Sequence, residues 1–332
     1  MMTQHADPID QLDALLEESE EAPGNNPAPA RGTMTSPALP ILVAITEDAQ
    51  REGVLAVAAA LSEQRGGMPT LMHTLEISPA TMPDAMVGYG ALVVELRDAP
   101  MRAWTEERLR ADLQLSASPA ATWPLRVELG SAAGCIVEHA RRSDARLIVL
   151  GMHRHTRLGR ALGNDTLRAV VAQNAAPVLA VRPELRGLPK RVAVAMDFSS
   201  ASRRAAHLAR RIMDEHGTLY LVNVSPATLD DVEERTEGAR LIHARGIKAA
   251  FAELVAELDV PRGMTVATVA CRGNPVQEIV DFAAGANVEL VAVGRQRHTL
   301  AERLRHGSVT SALIADGRWS LLVTPQGSTE SL

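Results

Sequence analysis

Hydrophobic positions along this chain form short, β-rich runs that alternate with stretches of helical spacing from Ile41 to Thr324. Some runs, such as 146–151, are apolar at almost every position, which is typical of strands covered on both faces of a parallel sheet. Ten runs predict strands, at 41–45, 70–77, 125–129, 146–151, 177–181, 191–196, 218–224, 264–270, 289–294 and 319–324. The helical stretches between them indicate an α/β protein.

The order of these elements occurs twice along the chain. The later strands of the two copies align at an offset of 143 residues, which places Gly151 over Gly294, whereas the first strands align at 151. A repeat of this length indicates a duplicated domain rather than a solenoid. We therefore predict two domains, at residues 39–184 and 190–325.

Residues 1–38 differ from the rest of the chain in charge. They hold seven acidic residues and one arginine, so they carry the whole net charge of −6, and they are rich in Pro, Gly and Asn. Segments of this kind rarely form a core, so we predict a disordered acidic tail whose deletion leaves the fold intact. The alternative is a short helix over 9–22 that docks through one apolar face. That face would carry Ile9, Leu12, Leu15 and Leu16.

The charge and the aromatic content of the chain exclude several classes of function. Beyond the tail the chain is electrically neutral, and aromatic residues are 2% of the whole, which argues against cation-driven duplex binding and against base stacking. No apolar run approaches the ~18–20 residues of a membrane span, and the first residues lack the features of a secretory signal. We expect a cytoplasmic protein with no nucleic-acid or membrane partner, in which Cys135 and Cys271 are reduced and buried.

Two loops of the second copy carry the candidate chemistry. Asp197 follows the first strand, Gly294 ends the fourth, and Gly307 with Ser308 opens the next helix. A glycine at a strand end lets a ligand approach the main chain, and free N–H groups at a helix start favour a phosphate. Ligands of doubly wound sheets lie outside the strand ends where the winding reverses. Asp197 and Ser199 also fit a plain Asx turn and helix cap, and this alternative stays open.

A strand that ends in Asp-Phe-Ser at 197–199, then a βαβ body and a glycine-containing loop over 294–308, resembles the universal stress protein family. The resemblance covers about 40–184 and 190–325. It implies a tandem of two Rossmann-like, doubly wound domains, each a five-stranded parallel sheet of order 3-2-1-4-5. It also implies ATP, with or without magnesium, between the first and fourth strands. By resemblance, the ligands of this cofactor are Asp197, Val224, Gly294, Arg297, Gly307 and Ser308.

The sequence departs from the family pattern in both copies. Arg297 stands where the motif has its second glycine, and its guanidinium could either grip a phosphate or fill the space that phosphates need. In the first copy Thr46 replaces the aspartate, and Asn164-Asp165 replaces the Gly-Ser pair. A carboxylate at that helix start would cap the helix and repel a phosphate. We therefore predict a degenerate site in the first domain, with a structural or regulatory role.

The resemblance implies a stress-response protein that binds adenine nucleotide in its second domain and acts as a regulatory switch or scaffold, not as an enzyme. Two alternatives stay open. One is an interaction module that binds no nucleotide because both crevices are closed, and the other is a slow nucleotide hydrolase. We assign no catalytic residue and no metal ligand, because the paired histidines lack a third ligand at the usual spacing. These are His153, His155, His298 and His306.

We expect the edge strands of the two sheets to form the contact between the domains. In a 3-2-1-4-5 sheet the fifth strand is an edge, and an exposed apolar edge favours pairing. We therefore expect the two domains to pair within the chain through 177–181 and 320–324. A homodimer and the protein partners are left open.

Overall fold

The computed structural model describes residues 39–48, 51–76, 90–152, 162–225, 237–295 and 309–325, so the acidic tail lies outside the described residues. The strands of the first half are β1 (Ile41–Ala44), β2 (Thr70–Leu75), β3 (Leu125–Leu129), β4 (Leu147–Gly151) and β5 (Val178–Val181). Its helices are α1 (Arg51–Arg65), α2 (Gly90–Leu115), α3 (Ala132–Arg142) and α4 (Leu162–Gln173), with a short 3-10 helix at Pro119–Thr122.

The second half repeats this series. Its strands are β6 (Arg191–Met196), β7 (Thr218–Ser225), β8 (Thr265–Arg272), β9 (Leu290–Gly294) and β10 (Ser320–Thr324). Its helices are α5 (Ser200–Ile212), α6 (Glu237–Glu257), α7 (Pro275–Gly285) and α8 (Val309–Asp316).

All ten strands belong to one sheet, in the order β3-β2-β1-β4-β5-β10-β9-β6-β7-β8. Each half is therefore a doubly wound sheet of order 3-2-1-4-5, and every pair is parallel except β5 with β10. The predicted α/β fold is confirmed. In each half the winding reverses between the first and fourth strands, and we call these places the β1–β4 and β6–β9 switch points.

The two halves join through their fifth strands, as expected. The antiparallel register opposes Leu321 to Ala180, Leu322 to Leu179 and Val323 to Val178. All six side chains are buried, and Leu322 is fully so. The junction is therefore part of the core rather than a polar contact between two bodies.

Two arginines reinforce this junction from opposite sides. Arg182, which follows β5 and is buried, donates at 2.5 Å to the carbonyl of Gly317 beyond the end of α8. Arg295, which follows β9, donates to the carbonyls of Val171 and Ala172 in the last turn of α4. A cation at a helix C-terminus satisfies carbonyls that lack an intrahelical partner and complements the helix dipole.

Apolar side chains cover both faces of the sheet, which explains the continuous hydrophobic runs. Val192 and Val194 point into one layer, under α1, α2, α5 and α6, whereas Ala193 between them points into the other, under α3, α4, α7 and α8. Strands apolar on both faces are what a sheet with helices on both sides requires.

Two expectations need correction. Charged residues at helical spacing over about 98–115 predict a helix there, but the helix begins earlier, at Gly90, and contains Pro100. Cys135 and Cys271 are half-buried rather than buried. Burial still raises the pKa of both thiols, and nearby Glu128 adds to the increase at Cys135. Over the part of the chain that the structure describes, no helix is both long and apolar enough to cross a membrane.

Candidate functional site

Strand order brings three of the predicted site residues to neighbouring strand ends. β6 pairs with β9 on one side and with β7 on the other. Asp197 directly follows β6, Gly294 is the last residue of β9, and Val224 is the last but one of β7. Because parallel strands place their carboxyl ends at one edge, these residues share the β6–β9 switch point.

Asp197 is exposed and organises the start of α5. Its Oδ1 accepts from the Ser199 amide at 3.0 Å and from the Ser199 hydroxyl at 2.6 Å. Ser199 in turn caps the helix, because its Oγ accepts from the Ser202 amide at 3.2 Å. The Asx turn and cap that the sequence allowed are therefore both present, and they hold one carboxylate oxygen toward the helix N-terminus.

Phe198 links this turn to α6. Its backbone has φ of +58°, a left-handed conformation that costs a non-glycine residue roughly 1 kcal/mol. Its ring packs edge-on against Phe251 of α6, with centroids 5.0 Å apart. An aromatic pair of this kind contributes about 0.5–1.5 kcal/mol beyond its burial, which is comparable in size to the cost of the backbone conformation.

Gly294 lies against the beginning of α5. A Cβ at this position would overlap the backbone of Ala201 and Ser202. The Thr324 hydroxyl donates to the Ala201 carbonyl at 3.2 Å, so β10 contacts the same turn. The described geometry thus gives this glycine a packing reason, close approach of helix to strand, in addition to the ligand approach that the sequence suggested.

Asn223 is a site residue that sequence reasoning missed. It is 8% exposed, and its Nδ2 donates to the Met196 carbonyl at 2.8 Å, at the end of β6. Its Oδ1 is buried and has no hydrogen-bond partner among the described residues. An unpaired buried acceptor is costly and calls for a donor such as an N–H group or water. The signal was a single polar residue inside the apolar run of β7.

The other predicted ligands, Arg297, Gly307 and Ser308, lie outside the described residues. The four histidines considered for metal binding lie outside them too. Among the residues that are described, no group of three or more potential metal ligands occurs.

The β1–β4 switch point of the first domain is built differently. Thr46 takes the place of Asp197, and its hydroxyl donates to Asp48 at 2.7 Å. The next residue, Glu47, forms an exposed ion pair with Arg108 of α2. Glu47 also lies 3.5 Å from Nε2 of buried His73. Charged contacts thus replace the aromatic pair of the second domain.

His73 corresponds to Asn223. Its Nδ1 lies 3.0 Å from the carbonyl of Ile45, which directly follows β1. Each domain thus has one buried polar side chain on its second strand that bonds to the carbonyl at the end of the first. In the second domain alone, that side chain also has an unpartnered oxygen, as far as the described residues show.

Asp165 does not cap a helix as the sequence suggested. The helix α4 begins at Leu162, so Asp165 lies in its first turn, where it is exposed and 3.7 Å from Arg168. A carboxylate in the first turn still interacts favourably with the helix dipole and would still repel an anion there.

Comparison with known proteins agrees with this architecture. The model of the universal stress protein family matches the chain twice, over 39–182 and 189–325. A universal stress protein of Methanocaldococcus jannaschii is 28% identical over 148 residues, which cover 43% of this chain and 86% of that protein.

Solved structures share the tandem fold. A universal stress protein from Archaeoglobus fulgidus aligns with a TM-score of 0.56 at 16% identity, over 86% of this chain and 98% of that one. A universal-stress-protein-like structure from Pseudomonas aeruginosa aligns with a TM-score of 0.53 at 16% identity, over 87% and 94%. Both alignments extend over the two halves of the chain.

Proposed function

Because this chain belongs to the universal stress protein family, we propose that its second domain binds ATP at the β6–β9 switch point and acts as a regulatory switch in a cytoplasmic stress response. The observation that carries the proposal is the position of Asp197. It is exposed at the carboxyl end of β6, with β7 and β9 on either side. Doubly wound sheets bind their ligands at this place.

The surrounding residues suit a nucleoside. Asp197 supplies a carboxylate, which accepts hydrogen bonds from ribose hydroxyls, and Val224 supplies a half-buried apolar side chain. The unpartnered Oδ1 of Asn223 is an acceptor for an amino group. The phosphates would then lie at the start of α8, which Gly307 and Ser308 precede in the sequence, because free N–H groups at a helix start favour an anion.

In this proposal the second domain binds ATP and does not hydrolyse it. ATP can act as a switch only if it binds one arrangement of the domains more tightly than another. The α5 start contacts both the Asp197 turn and the end of β10, which pairs with β5 of the first domain. The first turn of α5 thus connects a ligand at the β6–β9 switch point to the β5–β10 junction through hydrogen bonds.

Calorimetric titration with ATP and magnesium tests the proposal. We expect one site per chain in the wild type, loss of binding in Gly307→Asp, and unchanged binding in the matched variant Asp165→Ala. Gly307→Asp introduces a carboxylate at the second site, as Asp165 does at the first, and this negative charge repels the phosphates of ATP. A stoichiometry near two, or binding that survives Gly307→Asp, would contradict the proposal.

A second candidate is an interaction module that binds no nucleotide. It is favoured by the close contact of Gly294 with Ala201 and Ser202, which leaves no room for a Cβ between β9 and α5. Mass spectrometry of small molecules released from natively purified protein separates the two. Adenine nucleotide in the released fraction supports the ATP site, whereas its absence, together with no calorimetric binding, supports the module.

A further inference from the structure

A groove of about 870 Å³ lies between α6 and the edge strand β8, and Phe251 in its lining contacts Phe198 of the Asp197 turn. Its floor is apolar, with Ile247, Phe251 and Val255 from the helix and Ala270 from the strand. The N-terminal part of α6 stands clear of the sheet, and Ile242 on it is 72% exposed. We call this feature the α6–β8 groove.

The rim of the α6–β8 groove is basic. Lys248 and Arg272 line it, and His243 joins them with its Nε2 3.2 Å from the Ser225 hydroxyl. No aspartate or glutamate is among the described residues that form the lining. An apolar floor with a cationic rim fits an amphipathic helix whose polar face is acidic.

The chain itself contains such a helix sequence. Within 9–22 the apolar residues Ile9, Leu12 and Leu16 recur at helical spacing, and six of the seven acidic residues of the tail lie in the same stretch. We propose that residues 9–22 dock as an amphipathic helix in the α6–β8 groove of the same chain. The leucines would cover the apolar floor, and the carboxylates would face Lys248 and Arg272.

The linker is long enough for docking within one chain. The described part begins at Leu39, before β1, and β1 is separated from β8 by seven strand spacings. Seven spacings of ~4.8 Å amount to about 34 Å. The 16 residues of 23–38 can span at most about 55 Å when fully extended. Attachment to the same chain also raises the effective concentration of the helix at the groove.

Docking of this kind is compatible with deletion of the tail leaving the fold intact. The groove is a surface feature, and the core beneath it is complete without the tail, because Leu254 and Leu258 of the same helix region are fully buried. The inference does not rest on the ATP proposal, because its test is a cross-link at Lys248 rather than nucleotide binding. The groove borders the switch point, since Phe251 contacts Phe198 and Ser225 follows Val224, but it contains neither Asp197 nor Gly294.

The lysine content of the chain gives a direct test. There are only two lysines, Lys190 and Lys248, and only the second lines the groove. A carbodiimide joins an amine to a carboxylate in direct contact, and all seven acidic residues of the tail fall in the tryptic peptide 1–31. In the full-length chain we expect peptide 1–31 to link to Lys248 roughly tenfold more than to Lys190, its internal control.

Two variants separate docking from simple charge attraction. Leu12→Glu with Leu16→Glu removes the apolar face while it adds carboxylates, so docking predicts that the Lys248 link falls to the Lys190 level. Ala14→Glu adds a carboxylate on the other face and should leave the link in place. A Lys248 link that rises in the double variant would overturn the proposal.

Other occupants of the groove would give other products. A link from Lys248 to the acidic segment 226–236 would assign the groove to that segment. A dimer-sized product that joins the tail of one chain to Lys248 of another would show docking between copies. Either result, or equal links at Lys190 and Lys248, would overturn docking within the chain.

Discussion

The two switch points occupy the same place in two copies of one fold, yet different forces hold them. In the first domain, Glu47 reaches α2 through an exposed ion pair with Arg108. In the second, the residue at the corresponding position after the first strand is Phe198, which reaches α6 through the ring of Phe251. Exposed ion pairs contribute about 0–1 kcal/mol and are screened by salt, whereas an aromatic pair has no net charge that salt could screen.

The comparison shows which residues near the switch points are common to both domains and which differ. Both domains keep the buried polar residue that bonds to the end of the first strand, His73 in one and Asn223 in the other. The residues that follow the strand, Thr46 and Asp197, have changed in chemistry without a change in strand order. The buried bond therefore belongs to the framework, whereas the exposed turn can change without a change in strand order.

The largest expected effect comes from breaking the junction, so that each switch point can be studied alone. Val181→Lys combined with Leu322→Lys places two ammonium groups in positions that are 1% and 0% exposed. Burial of unpaired charge is not tolerated, so β5 and β10 should part while each domain stays folded. Small-angle scattering should show an increased radius of gyration, and far-ultraviolet circular dichroism should show retained helices. Unchanged dimensions would mean that other contacts hold the domains together.

A substitution at Gly294 should have the next largest effect. Gly294→Ala forces α5 away from β9, because the new Cβ meets backbone rather than a side chain. We expect a loss of about 2–4 kcal/mol in the free energy of unfolding, measured with urea. Gly246→Ala is the matched control, since nothing lies within 4 Å of its added Cβ, and it should gain about 0.5–1 kcal/mol. Equal, small effects would show that packing does not require glycine at position 294.

Two double-mutant cycles measure the contrast between the switch points directly. For Phe198 and Phe251, alanine substitutions should reveal a coupling of about 0.5–1.5 kcal/mol that does not change between low and high salt. For Glu47 and Arg108, glutamine substitutions should reveal about 0.2–1 kcal/mol that falls as salt rises. A salt-dependent aromatic cycle, or a salt-independent charged one, would reverse the assignment of forces.

The smallest effect is a pH dependence of the free energy of unfolding that His207 of α5 contributes. Burial lowers the pKa of His207, and this outweighs the opposite influence of Glu257, whose carboxylate is 3.9 Å away. Since the folded state binds the proton less well than the unfolded one, His207 costs stability as the pH falls through its ordinary value of about 6.5. Stability should therefore rise with pH across that range, and His207→Gln should flatten the rise. An unchanged slope in the variant would assign it to other groups.

The elements of this fold could be predicted because each leaves a local signal. Apolar runs such as 146–151 correspond to β4, and the expected pairing of the fifth strands followed from their position at the edge of each sheet. The position of Asp197 at the end of β6 could be predicted because a polar residue directly after a buried run lies where the strand ends. These inferences require only the order of residues along the chain.

The remaining features depend on contacts between distant segments. The space beside Gly294 is set by how α5 crosses the sheet, which no sequence spacing encodes. The role of Asn223 depends on its pairing with Met196, 27 residues earlier. The exposed part of α6 could not be foreseen either, because Leu241 and Ile242 are apolar residues of the kind that is usually buried, yet both are exposed.

The antiparallel junction between β5 and β10 has a genetic consequence. In an assembly of two identical chains, every substitution appears in both halves, so neither half can lose a function while the other keeps it. Here a single chain contains both halves, so they are always present in equal number and associate at any dilution. Thr46 and Asp197 can therefore diverge independently, and the chain can specialise one half while the other maintains the shared sheet.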